Sequence, residues 1–243
     1  MSVCAAQQFP AQAEALNRAF DARLAALRRE NADASREKLR HLEGQILPGI
    51  AAYETLQTVM PKDAALQTVH GYVEARAWRL KGIFVRLMRI PRLYRRVPDI
   101  FARQTPKLFG EAAGFAATEI QTTGGVWRID MTRCPYHDAC VRYGCPELCP
   151  SFCDSDDITY DGLHPQLFWR RTKTLGRGGD CCDFCLKIRG RLVFPAGAGG
   201  AAECGEAATI ASQTHFFCLA RKSGQKEALE ADRIVPQCHR ITP

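Results

Sequence analysis

Between residues 11 and 47, Leu16, Phe20, Leu24 and Leu27, and then Leu39, Leu42 and Ile46, recur at three- and four-residue steps with charged residues between them. That spacing lays apolar side chains along one face of an α-helix. Asn31-Ala-Asp33 interrupts the run, and Asp33 or Ser35 supplies the oxygen an N-cap needs, so two helices are expected, ending before Pro48-Gly49. A shorter helix over Ile50 to Val59 is stopped by Pro61. From Asp63 the series Leu66, Val69, Val73, Ala77, Leu80, Phe84 and Leu87 keeps the helical period longest, and Pro91 and Pro98 then divide the chain into short basic pieces.

At Thr105-Pro106 the period changes. Residues 115 to 123 are rich in Thr, Ile and Phe, Gly124-Gly125 supplies a turn, and Trp127, Ile129 and Met131 alternate with Arg128, Asp130 and Thr132. This is a β-hairpin with one apolar face, and it delivers Cys134 at its end. Residues 135 to 161 carry Pro135, Pro146 and Pro150 and read as one or two short helices with those prolines in their first turns. A third strand is expected over Leu167 to Thr174 and a turn over Gly176 to Gly179. In the fourth strand Cys182, Phe184, Leu186 and Ile188 alternate with Cys181, Asp183, Cys185 and Lys187, so Cys182 shares the apolar face while Cys181 and Cys185 point away.

The fold class is therefore α+β: a helical N-terminal part, then a small antiparallel sheet in the order strand-strand-helix-strand-strand, then a poorly ordered C-terminal tail. The expected organisation is N-terminal helices over 1–60 and an α+β domain over 61–190. That domain comprises a basic helical segment at 62–104 and the ββαββ unit at 113–190. The Gly/Ala-rich stretch 191–243, with Cys204, Cys218 and Cys238, is expected to be poorly ordered.

Composition narrows the function. A chain of 243 residues can bury a core without covalent staples. No basic start followed by an apolar run marks a secretory signal, and no apolar stretch reaches membrane-spanning length, so the cytoplasm is the expected compartment and no membrane partner is expected. Thiols stay reduced there. The net charge of +7 concentrates between Arg76 and Arg96, where eight Arg and Lys residues occur without an acidic one. A solvated helix face is favoured over a nucleic-acid footprint, because no nucleic-acid motif accompanies the charge.

Eight of the twelve cysteines fall between Cys134 and Cys185, among carboxylates, His137, Arg170 and Arg171. A nucleophilic or acid–base site is read from Cys153, Asp156 and Cys182, with Cys134 nearby. A reactive cysteine attacks as thiolate, which Arg170, Arg171 or His137 favours, and Asp156 lies one helical turn beyond Cys153, on the same side. Arg170 and Arg171 occupy adjacent strand positions, so at most one faces a given pocket, where its fork suits a carboxylate. The other reading of the same cysteines is structural, as small buried hydrophobes. A metal alternative uses Cys140, Cys145, Cys149 and Cys153 for zinc or an iron–sulfur cluster, but steps of five, four and four match no common ligand spacing. No cofactor is the primary expectation. The oligomeric state is left open.

Cys134-Pro135, Pro146-Glu147-Leu148, Phe152-Cys153 to Asp156, Arg171-Thr172-Lys173-Thr174-Leu175 and Gly178 to Phe184 together resemble the L-2-amino-thiazoline-4-carboxylic acid hydrolase family over roughly residues 60 to 190. The resemblance implies a small-molecule hydrolase that opens a cyclic isothiourea at its C–S bond to give a carbamoyl-cysteine. In that scheme Cys153 attacks or activates water, Asp156 moves the proton, Cys182 assists, and Arg171 or Arg170 holds the carboxylate. Cys140, Cys145, Cys149, Cys181 and Cys185 are additional to the family pattern and leave a thiol-rich metal-binding or sensing protein as the alternative. Two thiols with a carboxylate are also similar in composition to the site of organomercurial lyases, which cleave a carbon–metal bond.

Overall fold

Leu16, Leu24 and Leu27 form the buried stripe of helix α1, Ala13–Glu30, the first element of a computed structural model that describes residues 11–191. The expected break at Asn31 is a buried polar joint. Its Nδ2 donates to the Leu27 carbonyl at 2.7 Å and to the Tyr143 hydroxyl at 2.8 Å, so the residue that ends α1 also ties it to a distant segment. Ser35 caps α2, Arg36–His41, by accepting from the Lys38 N–H at 3.1 Å.

The expected stop before Pro48-Gly49 is absent. A π-helical turn, Leu42–Ile46, leads straight into α3, Leu47–Leu56, with Pro48 in its first turn. Proline has no N–H to return to the fourth residue before it, and a widened turn accommodates that loss without ending the helix. Helix α4, Lys62–Leu87, buries Ala65, Val69, Val73 and Ala77 as its period requires, whereas Leu80 and Leu87, read as continuing the stripe, are exposed. Pro98 begins α5, Val97–Leu108, rather than breaking it, and the helix runs through Pro106, past the expected change of period at Thr105.

The hairpin forms as β1, Ala116–Gln121, and β2, Val126–Arg133, with Gly124 and Gly125 both at positive φ in the turn. Two helices follow, α6 at Pro135–Arg142 and α7 at Cys149–Tyr160, each with a proline in its first turn. Strand β3, Leu167–Arg170, is shorter than the expected Leu167 to Thr174. Asp183 is the reason: its Oδ1 accepts the main-chain N–H groups of Thr172 and Lys173, both at 2.8 Å, and takes them out of the ladder. Strand β4, Cys182–Ile188, sits between β2 and β3 in an all-antiparallel sheet of order β1-β2-β4-β3.

Two buried clusters result. One packs α1, α3 and α4 against α6 and α7 through Leu27, Ile46, Val69, Leu148 and Phe152, and so crosses the expected boundary at residue 60. The other covers the apolar sheet face with Trp127, Ile129, Trp169, Phe184 and Leu186. Tyr136 packs against both. The segment from residue 192 on, including Cys204, Cys218 and Cys238, lies outside the described residues. Among the described residues, no helix is long and apolar enough to cross a membrane.

Candidate functional site

Helix α7 presents Phe152, Cys153, Asp156, Thr159 and Tyr160 to a cavity of about 280 Å³. Positions 153, 156 and 160 follow the helical repeat, so one face of a short helix carries both the thiol and the carboxylate. Pro150 starts that helix and thereby fixes its phase. Cys134 reaches the cavity because β2 ends on it and α6 begins after it, and Cys182 because it is the first residue of β4 on the apolar face, opposite Met131. Cys134, Cys153, Asp156, Cys182 and Arg171 are thus brought together. Arg170 and His137 are not among the cavity's walls. Arg170 stands on the alternate face of β3, level with Cys185, and the His137 ring is 3.7 Å from Asp138 on α6.

Asp156 is enclosed by the cavity, yet its side chain keeps 41% of its surface accessible. Burial raises its pKa to about 7, against the opposing pull of Arg171. The Arg171 side chain is itself only 2% exposed and is committed to the protein. It donates to Asp157 at 2.6 Å, to the Cys153 carbonyl at 2.7 Å and to Asp156 at 3.4 Å, with its guanidinium over the Phe184 ring. One cation therefore holds the backbone of the thiol and biases the carboxylate beside it.

The three cavity thiols are all pushed up. Burial takes Cys134 to about 12, countered in part by the main-chain N–H groups of His137 and Tyr136. Burial takes Cys182 to about 11, although its sulfur accepts the Leu175 N–H at 3.3 Å. Cys153 rises first through its hydrogen bond with the Cys149 thiol and then through burial, while Arg171 works in the other direction. At rest these are protonated thiols, and Asp156 is the group poised near neutrality.

Cys153 is also one end of a row of thiols. The Cys149 thiol is hydrogen-bonded to Cys153, Cys140 to Cys149 and Cys145 to Cys140, and none of the eight described cysteines is in a disulfide. Pro146 begins a 3-10 turn between α6 and α7, so the four sulfurs come from two helices and a turn and meet in sequence, not around a point. Among the described residues, no group of three or more His, Cys, Asp or Glu side chains is placed to hold a metal ion.

The sequence reading missed several cavity residues: His41, Arg76, Tyr136 and Tyr160. Tyr136 follows Cys134-Pro135 directly and Arg76 adjoins the buried Val73 and Ala77 stripe, so sequence proximity to those motifs is the signal for both. No curated protein and no solved structure matches the chain. The model of the L-2-amino-thiazoline-4-carboxylic acid hydrolase family matches residues 39–186, a span that holds every cavity side chain named here, and the chain belongs to that family.

Proposed function

We propose that the cavity hydrolyses L-2-amino-thiazoline-4-carboxylate or a closely similar cyclic isothiourea. The family's name carries hydrolase activity, and the observation that supports this substrate class is Asp156, poised near pH 7 one helical turn beyond the Cys153 thiol in the same cavity. A volume of about 280 Å³ lies at the small end of ligand pockets and suits a single ring.

In the proposed reaction, the Cys153 sulfur attacks the ring carbon between sulfur and nitrogen as its proton passes to the Asp156 carboxylate. The ring C–S bond breaks, and Asp156 returns that proton to the departing sulfur. Water then adds to the carbon held on Cys153, giving one proton to Asp156, and the Cys153–carbon bond breaks. Asp156 hands the proton back to Cys153, and the sum is one water consumed and one carbamoyl-cysteine formed. Cys134 and Cys182, as neutral thiols, line the reacting carbon's surroundings without competing as anions. Arg171 positions the pair through the Cys153 carbonyl and the two carboxylates.

The test is turnover of L-2-amino-thiazoline-4-carboxylate by anaerobically purified protein, with Cys153→Ala as control. Carbamoyl-cysteine formation that the control loses is the expected result. Equal turnover in Cys153→Ala excludes the covalent step, and no turnover in the parent protein excludes this substrate.

A further inference from the structure

The cavity has three basic side chains, and two are already engaged. Arg171 is bonded to Asp156, Asp157 and the Cys153 carbonyl. His41 gives Nε2 to the Leu108 carbonyl at 2.7 Å, and burial holds its pKa below the usual histidine range, so it is neutral near pH 7. The third is Arg76 on α4.

Its position follows from the π-helical turn. Pro48 has no N–H for the Gly44 carbonyl four residues earlier, and Arg76 Nη1 donates to that carbonyl at 3.0 Å. A main-chain carbonyl orients the guanidinium without neutralising it, and one of five N–H groups is used. Among the described residues, no carboxylate pairs with Arg76. Arg76 also stands at the boundary with a second cavity of about 290 Å³ between α1, α3 and α4, sharing that position with Gln45 and Val73. Asp21 lines the second cavity but makes no ion pair with it.

We infer that Arg76 binds the carboxylate of the substrate, so that the ring is held between α4 and α7 with its electrophilic carbon at Cys153. The inference rests on the hydrolase reading above for the ring, and assigns its anionic group to a residue of the basic helix. An oriented fork with unused donors suits a carboxylate, and because solvent screens an exposed ion pair the contact contributes about two- to fivefold in binding.

The experiment compares L-2-amino-thiazoline-4-carboxylate with 2-amino-2-thiazoline, which lacks the carboxylate, by calorimetric binding and by turnover. The proteins are the parent, Arg76→Gln, Arg76→Lys and, as control, Arg79→Gln on the exposed face of the same helix. The parent should prefer the carboxylate about two- to fivefold. Arg76→Gln should raise Kd and KM for the carboxylate by that factor and not weaken binding of the ring that lacks it. Arg76→Lys should restore part of the preference, and Arg79→Gln should keep all of it. Arg76→Met makes the same comparison should the glutamine variant fail to fold. A preference that survives the loss of Arg76, or a parent that shows none, overturns the inference. A parent that binds the carboxylate through Arg76 without turning it over upholds the anchor and removes the reaction.

Discussion

Asp156 carries the sharpest consequences at the scale of single residues. Its pKa is about 7 in the fold and near 4 in an unfolded chain, so the fold favours the protonated carboxyl. The stability contributed in this way is present in full below about pH 4 and is lost as pH rises through 7. Asp156→Asn removes the ionisation, so its Tm should stay level between pH 5 and 8.5, where the parent's falls by about a few degrees; parallel Tm profiles would assign the titration elsewhere. Activity runs the opposite way, because only the ionised carboxylate accepts the Cys153 proton. kcat/KM should rise to a plateau with an inflection near pH 7, and Asp156→Asn should lower it by about 10² or more. Arg171→Met tests the bias on this group. Removing the cation that opposes burial should move the inflection to higher pH and cost about 2 kcal/mol or more of stability, since Asp157 and the Cys153 carbonyl lose their donor. The Cys153-x-x-Asp156 step was legible in the sequence because it is a helical spacing. The engagement of Arg171 was not, because Asp157 becomes its partner only when β3 folds over α7.

Elements explain which punctuation marks the sequence shows plainly. Pro135 and Pro150 begin helices because their missing N–H groups fall among the unpaired donors of a first turn, and the expectation there matches the structure. Pro48 is chemically the same signal with a different outcome, since a π-helical turn absorbs it and leaves the Gly44 carbonyl for Arg76. Local pattern does not distinguish the two cases, because the deciding partner is 32 residues away. The truncation of β3 is similar: Asp183 sits outside the strand it shortens. The 3-10 turn Leu175–Arg177 packs closely against the site. A methyl group on Gly176 would lie 2.9 Å from the Cys149 sulfur and 3.1 Å from the Cys153 sulfur, so the turn fits only without one. Gly176→Ala should destabilise the protein by about 1–3 kcal/mol and lower kcat more than it raises KM, because it displaces the attacking sulfur and spares the α4 wall. Denaturant unfolding and steady-state kinetics on one preparation check both; a fall in KM affinity alone would show that the sulfur had not moved.

At the scale of the molecule, the helical and alternating apolar patterns made the α+β order legible, and the stripes of α1, α4 and the sheet supply side chains to both buried clusters. Alternation cannot say which stripe faces which, so the cavity at their junction was beyond reach, along with His41, Arg76 and Tyr160 on its walls. That junction has a thermodynamic consequence. The walls come from α4 and α7 in the helical cluster and from β2 and β4 on the sheet, so a ligand binds only when both clusters are packed. Binding to the folded chain alone stabilises it by about 2.7 kcal/mol at a hundredfold excess over Kd. For a chain of 243 residues, this corresponds to a rise in Tm of about 5–10 °C. The rise should be measured on Cys153→Ala with L-2-amino-thiazoline-4-carboxylate, so that the ligand is not consumed. Far-UV circular dichroism follows the helices, while fluorescence of the buried Trp127 and Trp169 follows the sheet cluster. Both transitions should move together and by the same amount. If the ligand shifted the tryptophan transition and left the helical one in place, the two clusters would unfold independently, and a site assembled from both would have to be abandoned.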